Sequence, residues 1–398
     1  MPQMDASRRY DLVLFGATGF TGGLTAEYLA AHGPAEMRWA LVGRNRAKLE
    51  AIAARLAATS PHGPVPEIVV ADAGDAGAMR EVAESTRVVV TTVGPYILYG
   101  GPLVAACAAA GTDYADLTGE PEFVDRTWIQ HHAEAERSGA RIVHCCGFDS
   151  IPHDLGAYFT VKQLPEGVPL TVNGYVRSNA TFSGGTYHSA INAFGRARQT
   201  LAASKERRQA EQRPSGRSIH SAPSRVRRMP ELGGWAVPLP TIDGPIVLRS
   251  AATLDRYGPD FTYGHNMLAK HLTSVGALAA GVGTGFALAQ LPPTRKLLLK
   301  MKSPGEGPSE AKREQSWFKI VFVGEGGGKR VVTEVKGGDP GYSETSKMLA
   351  ESGLCLAFDE LPERAGQLTT AAAMGEPLLE RLQKAGITFD VVEPLANG

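Results

Sequence analysis

The sequence predicts a doubly wound α/β fold, a parallel sheet with helices on both faces, joined to a second α+β unit. Three observations predict it. Runs of Val, Ile and Leu alternate with helical periodicity over the first ~150 residues, as strands buried on both faces of a parallel sheet do. Three glycines spaced by three, Gly16, Gly19 and Gly22, directly follow the first of those runs. Beyond residue 165 the alternation gives way to a strand, a long helix and a glycine-turned hairpin. At 398 residues the chain is too long for one ordinary core and reads as about two domains. The expected division is 1–155, 156–340, and a closing helical segment 341–398 that returns to brace the first unit.

The elements follow in order. "YDLVLFG" (10–16) is the first strand, "TGGLTAEYLAAHG" a helix ending at Gly33, and "RWALVGR" (38–44) the second strand. "NRAKLEAIAARLAA" is a helix, "EIVVAD" (67–72) a third strand, "AGAMREVAEST" a helix and "RVVVTTVGP" (87–95) a fourth strand. "GPLVAACAAAG" is a helix, "TDYADLTG" a short fifth strand, "EFVDRTWIQHHAEAERSG" a helix and "ARIVHCCGFDS" (140–150) a sixth strand.

On such a Rossmann-type sheet the glycine triplet has a mechanism. Gly16 allows the tight turn out of the strand, Gly19 lets backbone approach a pyrophosphate, and Gly22 lets the helix pack closely. Amides at the helix start, near Phe20 and Thr21, then face the phosphates where the helix dipole favours negative charge. The expected cofactor contacts in this turn are Gly16, Ala17, Thr18, Gly19, Phe20, Thr21 and Gly22. The second strand ends in "VGRN", with Arg44 and Asn45 where an NAD site would carry a carboxylate. A guanidinium grips a 2′-phosphate that a carboxylate repels, so the expected cofactor is NADP(H). The alternative for Arg44 is a solvated charge at a strand end. Asp72, ending the third strand, is an adenine-side candidate. After the fourth strand, Thr92, Val93, Gly94 and Pro95 form the turn expected beside the nicotinamide, with Tyr96 and Tyr99 as phenols near it. Each phenol is either a proton donor or wall packing.

Composition narrows the function classes. Lys and Arg total 41 against 41 Asp and Glu, and this neutrality argues against bulk nucleic-acid binding. Four cysteines show no CxxC pairing and "MPQMDASRRYD" has no apolar leader, so a reducing cytoplasm is expected. No metal site is expected. "HCC" (144–146) alternates across a strand and cannot converge with His131, His132 and His153 on one ion. "YFTVK" sets Tyr158 and Lys162 at the spacing of a Tyr–Lys acid dyad, but in an apolar helix where an aromatic belongs to the core.

The stretches "GATGFTG", "VGRN", "TTVGPYILYGGPLVAACAAAGTDYADLTGE" and "CGFDSIPHDLG" resemble the saccharopine dehydrogenase-like oxidoreductases, and within them the trans-acting enoyl reductases. The likeness continues in "SPGEGPSEAKREQSWF", "GYSETSKMLAESGLCLA" and "TAAAMGEPLLERLQKAGI". The resemblance implies an NADPH-dependent reductase acting in trans on a polyketide or long-chain acyl intermediate. It supports the phosphate turn, Arg44, and the Gly94–Pro95 turn. "GFDSIP" matches too and sets Asp149 and Ser150 facing the cofactor cleft, but the resemblance supplies no agreed proton donor. Asp149 and Asp116 also have a reading as caps of the elements that follow them. Two other readings stand open: a carbonyl or imine reductase of the saccharopine type, and a non-catalytic NADP(H)-binding sensor or lipid-surface protein.

In the second unit, "PLTVNGYVRSN" is a strand and the long helix beginning near Ser183 carries Tyr187 and His188, further acid candidates. "WFKIVFVGEGGGKRVVTEVKG" (317–337) is a hairpin, and the unit fits substrate binding and dimerisation. From Lys205 to Arg228 eight Lys or Arg face only Glu206 and Glu211. That run is either a solvated loop or a docking surface for an acidic acyl carrier domain. "LTSVGALAAGVGTGFALAQLPPT" (272–294) has no charged residue, with Ala277, Gly281, Gly285 and Ala289 recurring every four. Its readings are a helix shielding a greasy substrate, a peripheral membrane anchor, or a core helix over 272–291.

Overall fold

The computed structural model describes residues 8–180, 191–192, 194–212, 214–300 and 308–392, without the side chains at 272, 274, 277–279 and 282. Six parallel strands come first: β1 (Tyr10–Phe15), β2 (Trp39–Gly43), β3 (Glu67–Val70), β4 (Thr86–Thr91), β5 (Asp113–Asp116) and β6 (Arg141–Val143). Between them run α1 (Phe20–His32), α2 (Arg46–Thr59), α3 (Ala76–Ser85), the single turn α4 (Tyr96–Tyr99), α5 (Gly101–Ala110) and α6 (Pro121–Ser138). Every residue of β1 and β2 is buried, which is why those strands read as unbroken apolar runs. The helix α7 (Ile151–Lys162) then leads to a second sheet.

That sheet holds β7 (Leu170–Ser178), β8 (Ser218–Ser221), β9 (Arg227–Met229), β10 (Gly234–Pro238), β11 (Asp260–Ala269), β12 (Phe318–Gly326) and β13 (Lys329–Gly337). The hairpin β12–β13 turns at Gly327 and Gly328, both at positive φ. The chain next returns to the first sheet as β14 (Gly366–Leu368), parallel to β6, and ends in the second as β15 (Thr388–Val392). The orders are β14-β6-β5-β4-β1-β2-β3 and β15-β13-β12-β7-β11-β10-β9, with β8 beside β11. The first sheet reverses direction of winding between β1 and β4, where such sheets bind ligands at their carboxyl edge.

One apolar core runs from Leu12 and Val90 of the first sheet to Phe322 and Val335 of the second. α7 makes the junction: at Gly156 a Cβ would lie 2.4 Å from the Phe322 ring, so only glycine permits that approach. The helix Ser343–Phe358 covers β1 and β4 in the same way, with Gly353 against Val90 and Leu12. Buried Asp154 of α7 accepts from Ser250 Oγ at 2.5 Å, Thr370 Oγ1 at 2.7 Å and Ala371 N at 2.8 Å, tying three segments together.

Three expectations are corrected. The sixth strand stops at Val143 instead of running on, because Asp116 seizes the chain beyond it. Cys146 N donates to Asp116 O, Cys145 N to Asp116 Oδ1, and Cys145 sits at φ 63. The basic stretch is not a continuous loop: it finishes the helix Ala197–Ala210 and supplies β8 and β9. Arg207 is 9% exposed and 2.8 Å from Asp125, and Arg217 meets Asp255 and the carbonyls of Ala251 and Leu254, so part of the charge is spent internally. The segment 272–291 is not a core helix. Among its described side chains Phe286 and Leu288 are exposed while Ala289 is buried. Among the described residues, no helix is long and apolar enough to cross a membrane.

Candidate cofactor and active site

The turn after β1 is built around backbone that tolerates no side chain. Gly16 has φ +95, and a Cβ there would lie 2.7 Å from Thr92 Oγ1. At Gly22 a Cβ would come within 2.2 Å of Gly16 O. Gly19 differs: its Cβ would meet only Gly16 O, at an ordinary 3.5 Å. The protein's own packing therefore does not require glycine at 19, and the space beside it belongs to whatever approaches from outside. No side chain caps α1 and no acidic residue lies in its first turn, so its leading amides are left to an anion. The turn fits a pyrophosphate. Ala17 is buried beneath it, whereas Thr18 and Gly19 face outward.

The outer rim of the turn is held by residues far along the chain. The Phe20 ring meets Tyr342 edge-on at 4.9 Å, Arg313 stacks over it at 5.4 Å, and Ser346 Oγ donates to Thr21 O at 3.2 Å. Nothing in the sequence spacing signalled Tyr342 or Ser346 as part of this site.

At the end of β2 the Arg44 side chain is 78% exposed and lies 3.9 Å from Asp72, a surface pair of little strength. Its guanidinium is thus free to meet a 2′-phosphate. Asp72 and Asn45 are more committed: Asp72 Oδ1 accepts from Gly74 N at 2.9 Å, and Asn45 Oδ1 caps α2 through Lys48 N at 3.0 Å. With Gly16, Gly22 and Arg44 so placed, the residues present fit NADP(H).

Beyond β4, Thr92 N donates to Phe15 O at 3.0 Å, locking the turn after β4 to the glycine turn after β1. Val93 and the Gly94–Pro95 pair follow, joined by a cis peptide bond between the latter two. Tyr96 is buried; its hydroxyl donates to Thr91 O and accepts from Leu117 N, both at 3.2 Å. Burial and the nearby Asp116 push its phenol far above the ordinary range. Tyr96 is a wedge between two loops, and its proton is not on offer. Tyr99, 48% exposed, is on the outside of α4. Glu120 holds the turn from below, accepting from Tyr96 N and Ile97 N at 3.0 Å each.

The ends of β5 and β6 bring together the carboxylates. Asp116 is fully buried and satisfied by Tyr114 hydroxyl at 2.9 Å, Thr118 N at 3.0 Å and His144 Nδ1 at 2.7 Å. It is a loop organiser. Asp149 lies differently, with Oδ2 3.2 Å from the point a Cβ on Gly119 would occupy. Burial, aided by the negative charge of Asp243 and opposed by His153, raises its carboxyl to about 7. Ser150 is buried and donates its hydroxyl to Asp149 O at 2.6 Å.

Behind Asp149 stand His153 of α7, Asp243 of the helix Asp243–Thr253, and His265 of β11. His153 Nδ1 is 3.0 Å and His265 Nε2 3.4 Å from the Asp243 carboxylate. Burial alone would raise Asp243, but the two imidazoles override it and hold the carboxyl well below its usual range. Burial lowers His265, against the pull of Asp243. Ile242 and Ile246 pack on Cys145 and Val124, which seats this helix against the first sheet. His265 also lines a cavity of about 530 Å³ whose walls include Leu248, Tyr263, Arg225 and Arg227.

Other candidates are elsewhere. Tyr187 and His188 lie outside the described residues. Lys162 pairs with Glu376 and lies over the Tyr158 ring, away from the cofactor turn. His144 and His132 are engaged with Asp116 and Gln367 N.

Residues 12–143 match the saccharopine dehydrogenase NADP binding domain. A Mycobacterium tuberculosis protein carrying the trans-acting enoyl reductase name is 41% identical over 415 residues, spanning 96% of this chain and 97% of that one. A trans-acting enoyl reductase of Mycobacterium ulcerans is 37% identical over 417 residues, with 96% and 97% covered. The chain belongs to the trans-acting enoyl reductase family. It is an NADP-dependent oxidoreductase, as the turn at Gly16–Gly22 and Arg44 led one to expect. Saccharopine dehydrogenase (L-Glu forming) of Saccharomyces cerevisiae shares the fold, at TM-score 0.53 and 12% identity over 96% of this chain and 100% of that one.

Proposed function

We propose that this reductase saturates the carbon–carbon double bond of an α,β-unsaturated acyl thioester, with Asp149 donating the proton to the α carbon. One observation carries the assignment: a half-buried carboxyl, Asp149, stands against the Gly119 loop that anchors the Gly94–Pro95 turn through Leu117 and Glu120. The names of the relatives favour an enoyl substrate over a carbonyl or imine.

NADPH, when bound, supplies the hydride. The chain does the rest. Gly16, Gly19 and Gly22 hold the pyrophosphate, Arg44 selects the 2′-phosphate, and Thr92, Val93, Gly94 and Pro95 shape the floor beside the nicotinamide. Asp149 keeps its proton near neutrality because its pocket disfavours charge. The cavity beside His265 receives the acyl arm, and Arg225 and Arg227 at its wall meet the phosphate and acidic surface of an acyl carrier. The exposed side of the helix Leu272–Ala289 gives the enzyme a peripheral contact with lipid, and vesicle flotation that leaves the protein at the bottom of the gradient would sink that part.

The test follows NADPH absorbance with enoyl, keto and imino substrates. Turnover confined to the enoyl thioester is expected; turnover confined to the others, or none with NADPH tightly bound, defeats the proposal. On a carrier-bound substrate kcat/KM should fall with salt, and a flat salt response would remove the carrier from it.

A further inference from the structure

His153, Asp243 and His265 form a cluster that proton delivery by Asp149 does not use. They come from α7, the helix Asp243–Thr253 and β11, and one ligand atom of each lies within 4.8 Å of the others. The two imidazole-to-carboxylate separations are 3.0 Å and 3.4 Å. Donors bound at about 2.0–2.2 Å to one tetrahedral ion stand about 3.4 Å apart, so little movement separates this arrangement from a coordination shell.

A second observation points the same way. His153 Nε2 is buried with no hydrogen-bond partner, and His153 Nδ1 and Asp243 Oδ1, 3.0 Å apart, have only each other. Buried polar atoms are normally paired, and a buried imidazole nitrogen with no partner, beside a carboxylate shared by two histidines, is a donor set that a cation would complete. The surroundings also orient the donors. Tyr263 hydroxyl lies 3.5 Å from His265 Nδ1, leaving Nε2 toward Asp243, and Thr241 donates to Asp243 Oδ2. Such outer contacts fix tautomer and ring direction in metal sites. His265 and Thr241 both line the cavity, which leaves a fourth position open to it.

We propose that His153, Asp243 and His265 bind one divalent transition-metal ion of the zinc class, with an open position facing the cavity. The sequence argued against an ion because it weighed His153 only with His131, His132 and the residues 144–146, which alternate across a strand; the two partners that matter come from far along the chain. The site adjoins the cavity assigned to the acyl arm, and its test needs no turnover.

Full-length protein, stripped with a chelator, is titrated with Co²⁺ while its visible absorption is followed, and Zn²⁺ is then added. The expected result is a ligand-field spectrum saturating near one equivalent and erased by Zn²⁺. His265→Gln and Asp243→Asn should each weaken Co²⁺ binding at least about 100-fold. NADPH binding, which the first sheet provides, should persist in both variants and shows that they fold. A wild-type protein giving no such spectrum overturns the site, as does unchanged Co²⁺ affinity in either folded variant.

Discussion

The phosphate turn and the Asp149 corner are built by opposite means. The turn is local: seven consecutive residues, Gly16 to Gly22, shape the cradle with backbone, and the side chains removed at 16 and 22 matter more than those present. The corner is assembled from distant side chains, with Asp149, His153, Asp243 and His265 meeting across two sheets. The turn takes its shape from its own backbone and is braced at the rim by Thr92, Tyr342 and Ser346; the corner exists only through the packing that brings its parts together.

Perturbations of each region sharpen this contrast. Asp149→Asn is expected to lower kcat by about 10²–10⁴-fold with NADPH affinity unchanged, as loss of a general acid does. In chelator-treated wild type kcat should fall as pH rises through about 7, because the donor must be protonated and burial raises its carboxyl to that value. Asp149→Asn should flatten that limb, and a persistent limb would assign it to another group. Gly22→Ala, which drives a Cβ to 2.2 Å from Gly16 O, should weaken NADPH binding by about 100-fold while circular dichroism stays native. Arg44→Ala should cost about 10-fold in NADPH affinity and leave NADH nearly untouched, measured by fluorescence titration. Lys162→Ala should change kcat by less than about twofold, since the side chain pairs with Glu376 outside the cleft; a large loss would reinstate the Tyr158–Lys162 dyad.

Strands β1 to β4 and the helices α1 to α3 were legible because runs of Val, Ile and Leu and caps such as Asn45 act over a few residues. Less legible were β14, only three residues long, and the early end of β6, which Asp116 imposes from another strand. For Tyr96 the sequence left proton donor and wall packing both open, because a phenol beside such a turn has the chemistry for either. Its burial between Thr91 and Leu117 depends on how β4 and β5 pair, which composition does not reveal. Glu120, Tyr342 and Ser346 went unnoticed for the same reason: their partners are remote backbone atoms and rings.

By itself the sequence determined the parallel sheet, the phosphate turn and the preference for NADP(H). Each of these rests on interactions within a few residues: strand periodicity, glycine sterics, and one cation at a strand end. Tertiary structure alone decided which carboxyl is raised toward neutrality, which tyrosine is a wedge, and which histidines face one another. Those outcomes follow from desolvation and through-space charge, which depend on residues that the chain brings together only when both sheets close on a shared core.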